Sequence, residues 1–317
     1  MTRWHAFFIL LVGYLAVMSC GDEKNYQSAD VEMGARSPRI PSAPSVHEPD
    51  LSDARDSASS NDAVFTLGSK LVPNPAGERG GRTRVPSVRA REYPYSAVGV
   101  LVPTYCTITL IGPHTALSAA HCVWDRGIGI LREDGYLAGA SIPITAIYFG
   151  LSGITCGPAA SYVMIDPHPH LAIPPAYMDP RTPNAVNMDF VILDFAPREP
   201  GAVVGWYGTH GDHDGPLYLI GYPTKEGLVQ LWERGPGAAG EMFGGSLPDV
   251  FTHDLDAAPG DSGACLSAWV PVSRGATLGW RVCTGVQMAR VSPSGLGLAR
   301  AWDAAMHRTA QSLGGWP

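Results

Sequence analysis

Basic residues are scarce in this sequence and never cluster. Lysine and arginine together number 22 among 317 residues, charged residues make up 16% of the chain, and the formal net charge is −7. A surface that binds nucleic acid or an anionic membrane face needs a basic patch or run. The composition therefore argues against both kinds of partner, and the mild acidity favours solubility.

Long apolar runs are missing beyond the N-terminus. A helix that spans a bilayer needs about 20 apolar residues, whereas the run near the start extends only from Phe7 to Met18 and is followed by polar residues. With one arginine ahead of this run, residues 1–20 fit a signal peptide that is removed on export.

The end of that segment, Val17-Met18-Ser19-Cys20, resembles the bacterial lipobox, in which a cysteine after a small residue is diacylated and becomes the new N-terminus. Two or three acyl chains on Cys20 would hold the protein on a membrane, because a single chain binds only marginally. The alternative is ordinary cleavage near Ser19. We expect an exported protein, extracellular or attached to the cell envelope, with Gly21 weakly favouring the outer membrane.

Residues 21–90 offer little from which to build a core. They are rich in Ser, Pro, Ala, Asp and Arg, contain few aromatic residues and show no sustained period. Such a segment cannot bury enough apolar area to offset the entropy cost of ordering. We interpret it as a disordered tether or propeptide, with the propeptide ending near Lys70 or between Arg82 and Arg91.

Residues 91–317 consist of short apolar runs broken by glycine and proline. Runs of this length, rich in Val, Ile, Leu and aromatic residues, predict the strands of an all-β domain. One stretch favours a C-terminal helix, because its apolar residues recur at multiples of three to four and a Gly-Gly stop signal follows. These apolar residues are Leu298, Trp302, Met306 and Leu313.

Three short motifs occur in the order His, Asp, Ser. They are Ser118-Ala119-Ala120-His121-Cys122, Asp189-Phe190-Val191-Ile192-Leu193 and Pro259-Gly260-Asp261-Ser262-Gly263. Each alone is weak, since Gly-Asp-Ser-Gly is usually a turn. Their order is that of the chymotrypsin arrangement, whereas α/β-hydrolases run Ser, Asp, His and subtilisins run Asp, His, Ser. The G-x-S-x-G pattern of α/β-hydrolases also fails, because Ala264 stands where its last glycine would be.

With the segments around them, these motifs resemble bacterial glutamyl-endopeptidase-like members of the trypsin-like superfamily. The likeness covers about residues 81–288 and is carried by YPYSAVGVL, CTITLIGPHTALSAAHCV, YFG, DFVIL, GYPTKEGLVQLWE and DLDAAPGDSGA. It implies two six-stranded antiparallel β-barrels, at roughly 91–197 and 198–297, with a C-terminal helix. It also implies a secreted serine endopeptidase that acts on proteins or peptides and uses no cofactor.

Acyl transfer assigns a role to each residue of this triad. Ser262 is a poor nucleophile as a neutral alcohol, so a base must take its proton, and the near-neutral pKa of histidine suits His121. A carboxylate on the other ring nitrogen fixes the tautomer, and we assign Asp189 to it, with Asp194 as the rival. By the resemblance, the backbone N–H groups of Gly260 and Ser262 form the oxyanion hole.

The cysteines support the same resemblance. Cys106 and Cys122 are 16 residues apart and end beside the motif histidine, as in the disulfide that braces the catalytic His loop of trypsin-like enzymes. Cys265 and Cys283 lie on consecutive predicted strands, where they either face each other across the ladder or remain two buried thiols. Cys156 has no partner in this scheme.

The expected specificity pocket departs from the family. In glutamyl endopeptidases, a His on the strand after the nucleophile and a Ser or Thr five residues before the nucleophile bind the substrate carboxylate. Here those positions hold Gln287 and Ala257, so we expect a preference for polar or small residues rather than strong selectivity for Glu. In trypsin-like zymogens an Asp at the position of Asp261 pairs with the freed N-terminal ammonium, and activation by processing stays open here.

Two histidine-containing stretches look at first like metal ligands, namely Thr209–Asp214 and Asp166–His170. We interpret both as surface loops and expect no metal, since the mechanism needs no ion. A second hypothesis for the whole chain is a catalytically inactive, envelope-tethered binding module on a peptidase scaffold, and a third is a non-peptidase esterase of the same fold.

Overall fold

The structure, a computed structural model, describes residues 66–75, 82–126, 139–152, 160–182, 185–211, 215–224, 229–244, 247–291 and 294–313. All of them lie within one compact unit, Leu51–Pro317. Three predicted features fall outside the described residues, namely the signal peptide with Cys20, the cysteine Cys156, and residues 212–214 of the first histidine-containing stretch.

Strands dominate the described part of the chain. In chain order they are β1 (Leu71–Pro73), β2 (Arg82–Arg84), β3 (Val98–Val102), β4 (Thr107–Leu110), β5 (Thr115–Ser118), β6 (Trp124–Asp125), β7 (Ala140–Ser141), β8 (Ala146–Phe149), β9 (Tyr162–Ile165), β10 (His170–Ala172), β11 (Val191–Asp194), β12 (Gly208–Thr209), β13 (Leu217–Gly221), β14 (Trp232–Gly237), β15 (Ala239–Gly244), β16 (Leu247–His253), β17 (Cys265–Pro271), β18 (Leu278–Arg290) and β19 (Gly297–Ala301). The helices are α1 (Ser87–Ala90), α2 (Pro175–Met178), α3 (Pro200–Val204) and α4 (Ala304–Ser312), with short 3-10 helices at Tyr95–Ala97, Ala120–Cys122 and Ala185–Met188.

Two large curled sheets contain almost all of these strands. The first has seven described strands in the order β10-β11-β5-β4-β3-β8-β9, and the second has ten, with the main path β15-β16-β19-β18-β17-β13-β14-β2 and with β1 and β12 pairing to β18. All pairings are antiparallel except that of β12 with β18. The expected all-β architecture of two barrels is confirmed, and each sheet carries more than six strands.

The inner strands of the first sheet are covered on both sides. All four residues of β4 and all four of β5 are buried. A continuous apolar and β-branched run, such as TITL or TALS, is typical of a strand with two covered faces. Residues that directly follow such strands are therefore held by a rigid frame.

The expectation that residues 21–90 form a disordered tether is wrong for the part that the structure describes. Strand β1 pairs with Leu278–Trp280 and β2 pairs with Trp232–Arg234. Val72 and Val85 are only 6% and 3% exposed, so this stretch buries apolar side chains although its average composition is polar. The second sheet therefore begins upstream of residue 91.

The predicted C-terminal helix is present but begins later than its apolar pattern indicates. Leu298 lies in β19, and α4 starts after Asp303, whose Oδ1 accepts the N–H of Met306 at 2.8 Å. An aspartate that caps the first turn in this way satisfies a backbone donor that has no partner within the helix. In the described part of the chain, no helix is long and apolar enough to cross a membrane.

Candidate active site

His121 is held by a strand end and a disulfide. It lies in the 3-10 helix Ala120–Cys122, which follows β5 after one residue, and Cys122 is bonded to Cys106. A bridge that closes a loop of 16 residues stabilises the fold by roughly 3 kcal/mol in the chain-entropy estimate. The predicted disulfide is confirmed, and it fixes the segment that carries the histidine.

Asp189 contacts both the ring and the main chain of His121. Nδ1 of the ring lies 2.7 Å from Oδ2, and the backbone N–H donates to Oδ1 at 2.9 Å. A carboxylate only accepts hydrogen bonds, so Nδ1 carries the hydrogen and Nε2 remains the acceptor. Asp189 is 6% exposed, which keeps this contact away from water.

The pKa of the His121 imidazole is raised above its ordinary value. Burial alone lowers it, but the hydrogen bond that the ring donates to Asp189 and the negative charge of that carboxylate together raise it by more. The protonated ring is therefore stabilised, which is the property that a base needs when it takes up a proton near neutral pH.

The rival carboxylate, Asp194, has a different partner. Its Oδ1 lies 2.6 Å from Nδ1 of His114 and also accepts the N–H of Ala196 at 3.0 Å. The side chains of His114 and Asp194 are each 12% exposed, so Asp194 is largely covered and is paired with His114 rather than with His121. The reason is that His114, which lies 80 positions earlier in the chain, covers the end of β11.

The loop that carries Ser262 packs directly on the strands that carry His121. The N–H of Thr107 donates to the carbonyl of Ser262 at 2.9 Å, and the Thr107 hydroxyl donates to the carbonyl of Gly260 at 2.8 Å. Gly263 has φ +86°, and a Cβ there would overlap Ser118 Oγ and Thr107 O. Glycine at 263 thus permits this close approach, and Thr107 is an anchor that motif reading missed.

The hydroxyl of Ser262 donates to the carbonyl of Met288 at 3.1 Å. Among the hydrogen bonds of the described residues, it makes none to His121. The two residues are nevertheless close in space, because Sγ of Cys122, the neighbour of His121, lies 3.8 Å from the carbonyl oxygen of Ser262.

The peptide bonds that precede Gly260 and Ser262 are fixed in orientation, because the carbonyl groups of Pro259 and Asp261 both accept hydrogen bonds within the protein. The carbonyl of Pro259 accepts from Thr224 N at 2.7 Å and from Thr224 Oγ1 at 3.1 Å. The carbonyl of Asp261 accepts from Ala264 N at 2.9 Å. Because N–H and C=O point in opposite directions in a trans peptide, the two amides face the other side of the loop. Gly260 has φ +92°, a conformation that favours glycine.

Asp261 forms a buried ion pair with Arg234 of β14. Nη1 donates to Oδ1 at 3.1 Å and Nη2 lies 3.0 Å from Oδ2, with both side chains 0% exposed. Burial raises the pKa of Asp261 to about 6, although the charge of Arg234 and the N–H of Ala258 lower it. The residue before Ser262 therefore has a charged partner from within the chain.

Gln287 and Ala257, the predicted specificity residues, both turn inward. The Gln287 side chain is 2% exposed; its Oε1 lies 2.5 Å from Nε2 of His253, and its Nε2 donates to Ala289 O at 2.5 Å. Ala257 is 1% exposed and packs in a cluster of the second sheet. In this conformation the Gln287 amide is used within the protein and is not offered to a substrate.

A charged group lies at the surface near the loop that carries Ser262. Asp256 lies 3.6 Å from Arg82 and 3.9 Å from Arg290, and Asp256 and Arg290 are about half exposed. Arg290 follows Met288 by two residues in β18, and its Nε donates to Gly295 O at 3.0 Å. The sequence reading missed this group, since its members are far apart in the chain.

The second predicted disulfide, Cys265 to Cys283, is also present. It joins β17 and β18, so the alternative of two buried free thiols is wrong. A cluster of potential metal ligands within the described residues consists of Cys106, Cys122 and His121. Its two sulfur atoms are bonded to each other, and a disulfide does not provide the thiolates that bind metals.

A cavity of about 700 Å³ lies between the start of β1 and α3, away from the residues described above. Its lining includes Lys70, Arg91, Tyr93, Ser161 and Val203. None of the residues predicted for the triad, the oxyanion hole or the specificity pocket lines it.

No model of a protein family matches the sequence, and no curated protein matches it. Solved structures do resemble it. One, described as the structure of a Glu endopeptidase in complex with MPD, superposes with a TM-score of 0.52 at 20% identity, covering 74% of this chain and 97% of that chain. Another, the protease Anisep from Arthrobacter nicotinovorans, gives a TM-score of 0.47 at 15% identity, covering 69% and 95% of the two chains.

Proposed function

We propose that this chain, which has the chymotrypsin-like serine-peptidase fold, is a serine endopeptidase that cleaves peptide bonds through an acyl-enzyme at Ser262. The contact between Asp189 and His121 carries the proposal, because it fixes one tautomer and leaves Nε2 free to accept a proton. The packing of the Ser262 loop on Thr107 supports it, since it brings the hydroxyl to the same strand pair.

In the first half of the reaction, Ser262 Oγ attacks the scissile carbonyl carbon while Nε2 of His121 takes the hydroxyl proton. The resulting oxyanion is stabilised by the N–H groups of Gly260 and Ser262, each worth about 10²–10³ in rate in measured cases. The C–N bond then breaks, and His121 gives its proton to the leaving amine. Water attacks the ester in the same way and releases the acid.

One movement is required before this chemistry starts. Ser262 Oγ donates to Met288 O at 3.1 Å, so it must turn about its Cα–Cβ bond towards Nε2 of His121. Catalytic hydrogen bonds are often long or misaligned without substrate and tighten in the complex. If the Ser262 hydroxyl stays on the Met288 carbonyl and never turns, the chain is instead an inactive binding module on a peptidase scaffold, which is the second candidate function.

Covalent labelling separates the two candidates. The exported protein is incubated with a fluorophosphonate probe and with an unbiased peptide library, beside Ser262→Ala and His121→Ala. We expect labelling and cleavage by the wild type, and a loss of roughly 10⁶ in turnover for either variant and little more for both together. No labelling and no cleavage by any protein would contradict the peptidase, and a partner bound equally well by the wild type and Ser262→Ala would then support the inactive module. An additive double variant would contradict a shared proton-transfer unit.

We further propose that residues 1–20 direct export and that Cys20 is acylated. Two disulfides among the described residues suit an oxidising compartment outside the cytosol. Acylation is tested by detergent phase partition of cells that produce the wild type or Cys20→Ser. The wild type is expected in the detergent phase and the variant in the aqueous phase, whereas equal partition would contradict acylation.

A further inference from the structure

Asp261 closes the nucleophile loop onto itself. Its Oδ2 accepts the N–H of Ala258 at 2.8 Å, its own N–H donates to Ala258 O at 3.0 Å, and its carbonyl accepts from Ala264 N at 2.9 Å. The closed loop contains both Gly260 and Ser262. The orientation of the two amides assigned to the oxyanion hole therefore depends on where the Asp261 side chain is held.

Arg234 is what holds that side chain. It reaches both carboxylate oxygens, at 3.1 and 3.0 Å, from a strand that is not part of the loop. A carboxylate with no exposed surface is costly to ionise without a partner. Without Arg234, the carboxylate would either take up a proton or turn towards water, and both changes would loosen the loop.

The resemblance to trypsin-like zymogens assigns this place to a freed N-terminal ammonium. Here, both oxygens of Asp261 already contact a guanidinium from the chain interior. An N-terminus freed near Lys70 would precede β1, whose Leu71 pairs with Trp280. The Ser262 loop lies further along β18, where the N–H of Gln287 donates to Ala264 O. Trp280 and Gln287 are seven strand residues apart, which is about 23 Å. An N-terminus freed near Lys70 would therefore start far from Asp261.

The second expected cleavage region also lies within the sheet. Arg82 and Arg84 pair with Arg234 and Trp232, and the N–H of Val85 donates to Leu231 O at 2.9 Å. These hydrogen bonds hold Arg82–Arg84 beside Arg234 in the uncleaved chain. The ion pair between Arg234 and Asp261 is therefore already formed before any cleavage in this segment.

We propose that Arg234 is a positioning residue that takes the place of the N-terminal ammonium as the partner of Asp261, so that the nucleophile loop is active without proteolytic processing. The inference rests on the proposed serine-peptidase function. It assigns to Arg234 no contact with the substrate; Arg234 acts through Asp261 on the amides of Gly260 and Ser262.

The pH dependence of the labelling rate on the alkaline side distinguishes an N-terminal ammonium from the Arg234 guanidinium as the partner of Asp261. An α-ammonium titrates near pH 8, a buried lysine loses its proton below its ordinary pKa of about 10.4, and a guanidinium stays charged throughout. The rate of fluorophosphonate labelling is measured from pH 7 to 10.5 for the wild type, Arg234→Lys and Arg234→Met, with circular dichroism at each pH to confirm folding.

The wild type is expected to show no fall in labelling rate between pH 8 and 10. Arg234→Lys is expected to keep most of the rate at pH 7 and to lose it as pH rises through this range, which a merely structural role would not produce. Arg234→Met is expected to lose about 10²-fold at every pH, the loss that follows from a misplaced oxyanion donor. A wild-type rate that falls around pH 8 would overturn the proposal.

Arg281→Met is the matched control. Arg281 is also buried and paired, with Glu233 at 2.7 Å, but among the described residues neither member has a hydrogen bond or ion pair to the loop that carries Ser262. Its loss is expected to lower the melting temperature and to leave the labelling rate of the folded protein unchanged. Equal loss of labelling rate in both methionine variants would overturn a specific role for Arg234.

Processing is tested on the labelled protein itself. Intact mass of the fluorophosphonate adduct shows where the labelled chain begins, and the proposal expects adduct on chains that retain an uncut segment from residue 66 to residue 91. Adduct only on chains that begin between residues 71 and 92 would overturn it. Failure of the proposed function looks different, because then no form of the wild type is labelled.

Discussion

Asp189 binds His121 through both of its carboxylate oxygens, one to the ring nitrogen Nδ1 and one to the backbone N–H. The ring and the main chain of one residue are thus oriented by a single group. Because the histidine segment is also closed by the Cys106 to Cys122 bridge, the direction of Nε2 is fixed from two sides.

Replacing Asp189 by asparagine separates orientation from charge. If the amide oxygen keeps the backbone N–H of His121, its NH2 group faces Nδ1 and forces the hydrogen onto Nε2, which then cannot accept a proton. We expect kcat/KM to fall by about 10⁴, as the wrong tautomer does in a known triad. The measurement is kcat/KM on a peptide substrate, with thermal unfolding to show that the variant is folded.

Asp194→Asn is the control for this prediction. It changes a second carboxylate of the same sheet, which is 12% exposed and whose partner is His114. We expect kcat/KM to stay within about threefold of the wild type, since an independent site more than one contact away adds little coupling. A loss as large as that of Asp189→Asn would mean that the two aspartates have been assigned the wrong roles.

The pH dependence of activity follows from the raised pKa of His121. Only the neutral ring accepts the Ser262 proton, so kcat/KM is lost as pH falls through the His121 pKa. Because the Asp189 hydrogen bond and charge outweigh burial, the midpoint is expected above the ordinary histidine value of about 6.5. In Asp189→Asn only burial remains and the midpoint should move to lower pH; an unmoved midpoint would mean that another group controls the limb.

Sequence reasoning found the residues that local patterns identify. The proposed triad rests on three motifs that occur in a diagnostic order. The two disulfides, which the structure confirms, followed from a resemblance for Cys106 and Cys122 and from consecutive predicted strands for Cys265 and Cys283. Strands such as TITL and TALS were visible because both of their faces are buried.

Partners that are distant in sequence were not predictable in the same way. His114 meets Asp194 across 80 positions, and Arg234 meets Asp261 across 27; no local pattern marks such pairs. The ordered stretch around Val72 and Val85 was hidden for a different reason, since composition was averaged over residues 21–90. Gln287 was placed on the correct strand, but the direction of its side chain depends on His253, which sequence spacing does not reveal.

Gly260→Ala tests the backbone of the proposed oxyanion hole. Residue 260 has φ +92°, and a Cβ there would overlap Tyr222 O, so the peptide must shift. We expect kcat to fall by about 10²–10³, the cost of one oxyanion donor. Gly275→Ala is the control, because Gly275 also has a positive φ, +79°, but an added Cβ meets nothing within 4 Å. Equal activity of both variants would contradict the assignment of the Gly260 amide.

Acid should destabilise the protein through His253. Burial lowers its pKa to about 4, so the folded state resists a proton that the unfolded chain takes up near pH 6.5. Stability from this group is complete above pH 6.5 and is lost as pH falls towards 4, by about 3 kcal/mol in all. Urea unfolding of the wild type and His253→Gln between pH 7 and 4 measures the difference; parallel pH profiles would contradict it.

The surface group of Arg82, Asp256 and Arg290 predicts the charge preference of the substrate site. Two arginines surround one carboxylate, so the local charge is positive, and Arg290 lies two strand residues from the Met288 carbonyl that contacts Ser262, a distance of about 7 Å. An acidic side chain next to the scissile bond can therefore reach the guanidinium of Arg290, whereas a basic one is repelled. Arg290→Gln should lower kcat/KM for such acidic peptides about fivefold relative to neutral ones, the scale of a half-exposed charge contact.

Peptide-library profiling of the wild type and Arg290→Gln measures this change, and Arg274→Gln is the control, because Arg274 is exposed in the hairpin between β17 and β18. The control should leave selectivity unchanged, which separates a contact with the substrate from the effect of net charge. A wild-type preference for basic residues that disappears in Asp256→Asn would reverse the assignment. In that case the carboxylate, and not Arg290, would contact the substrate side chain.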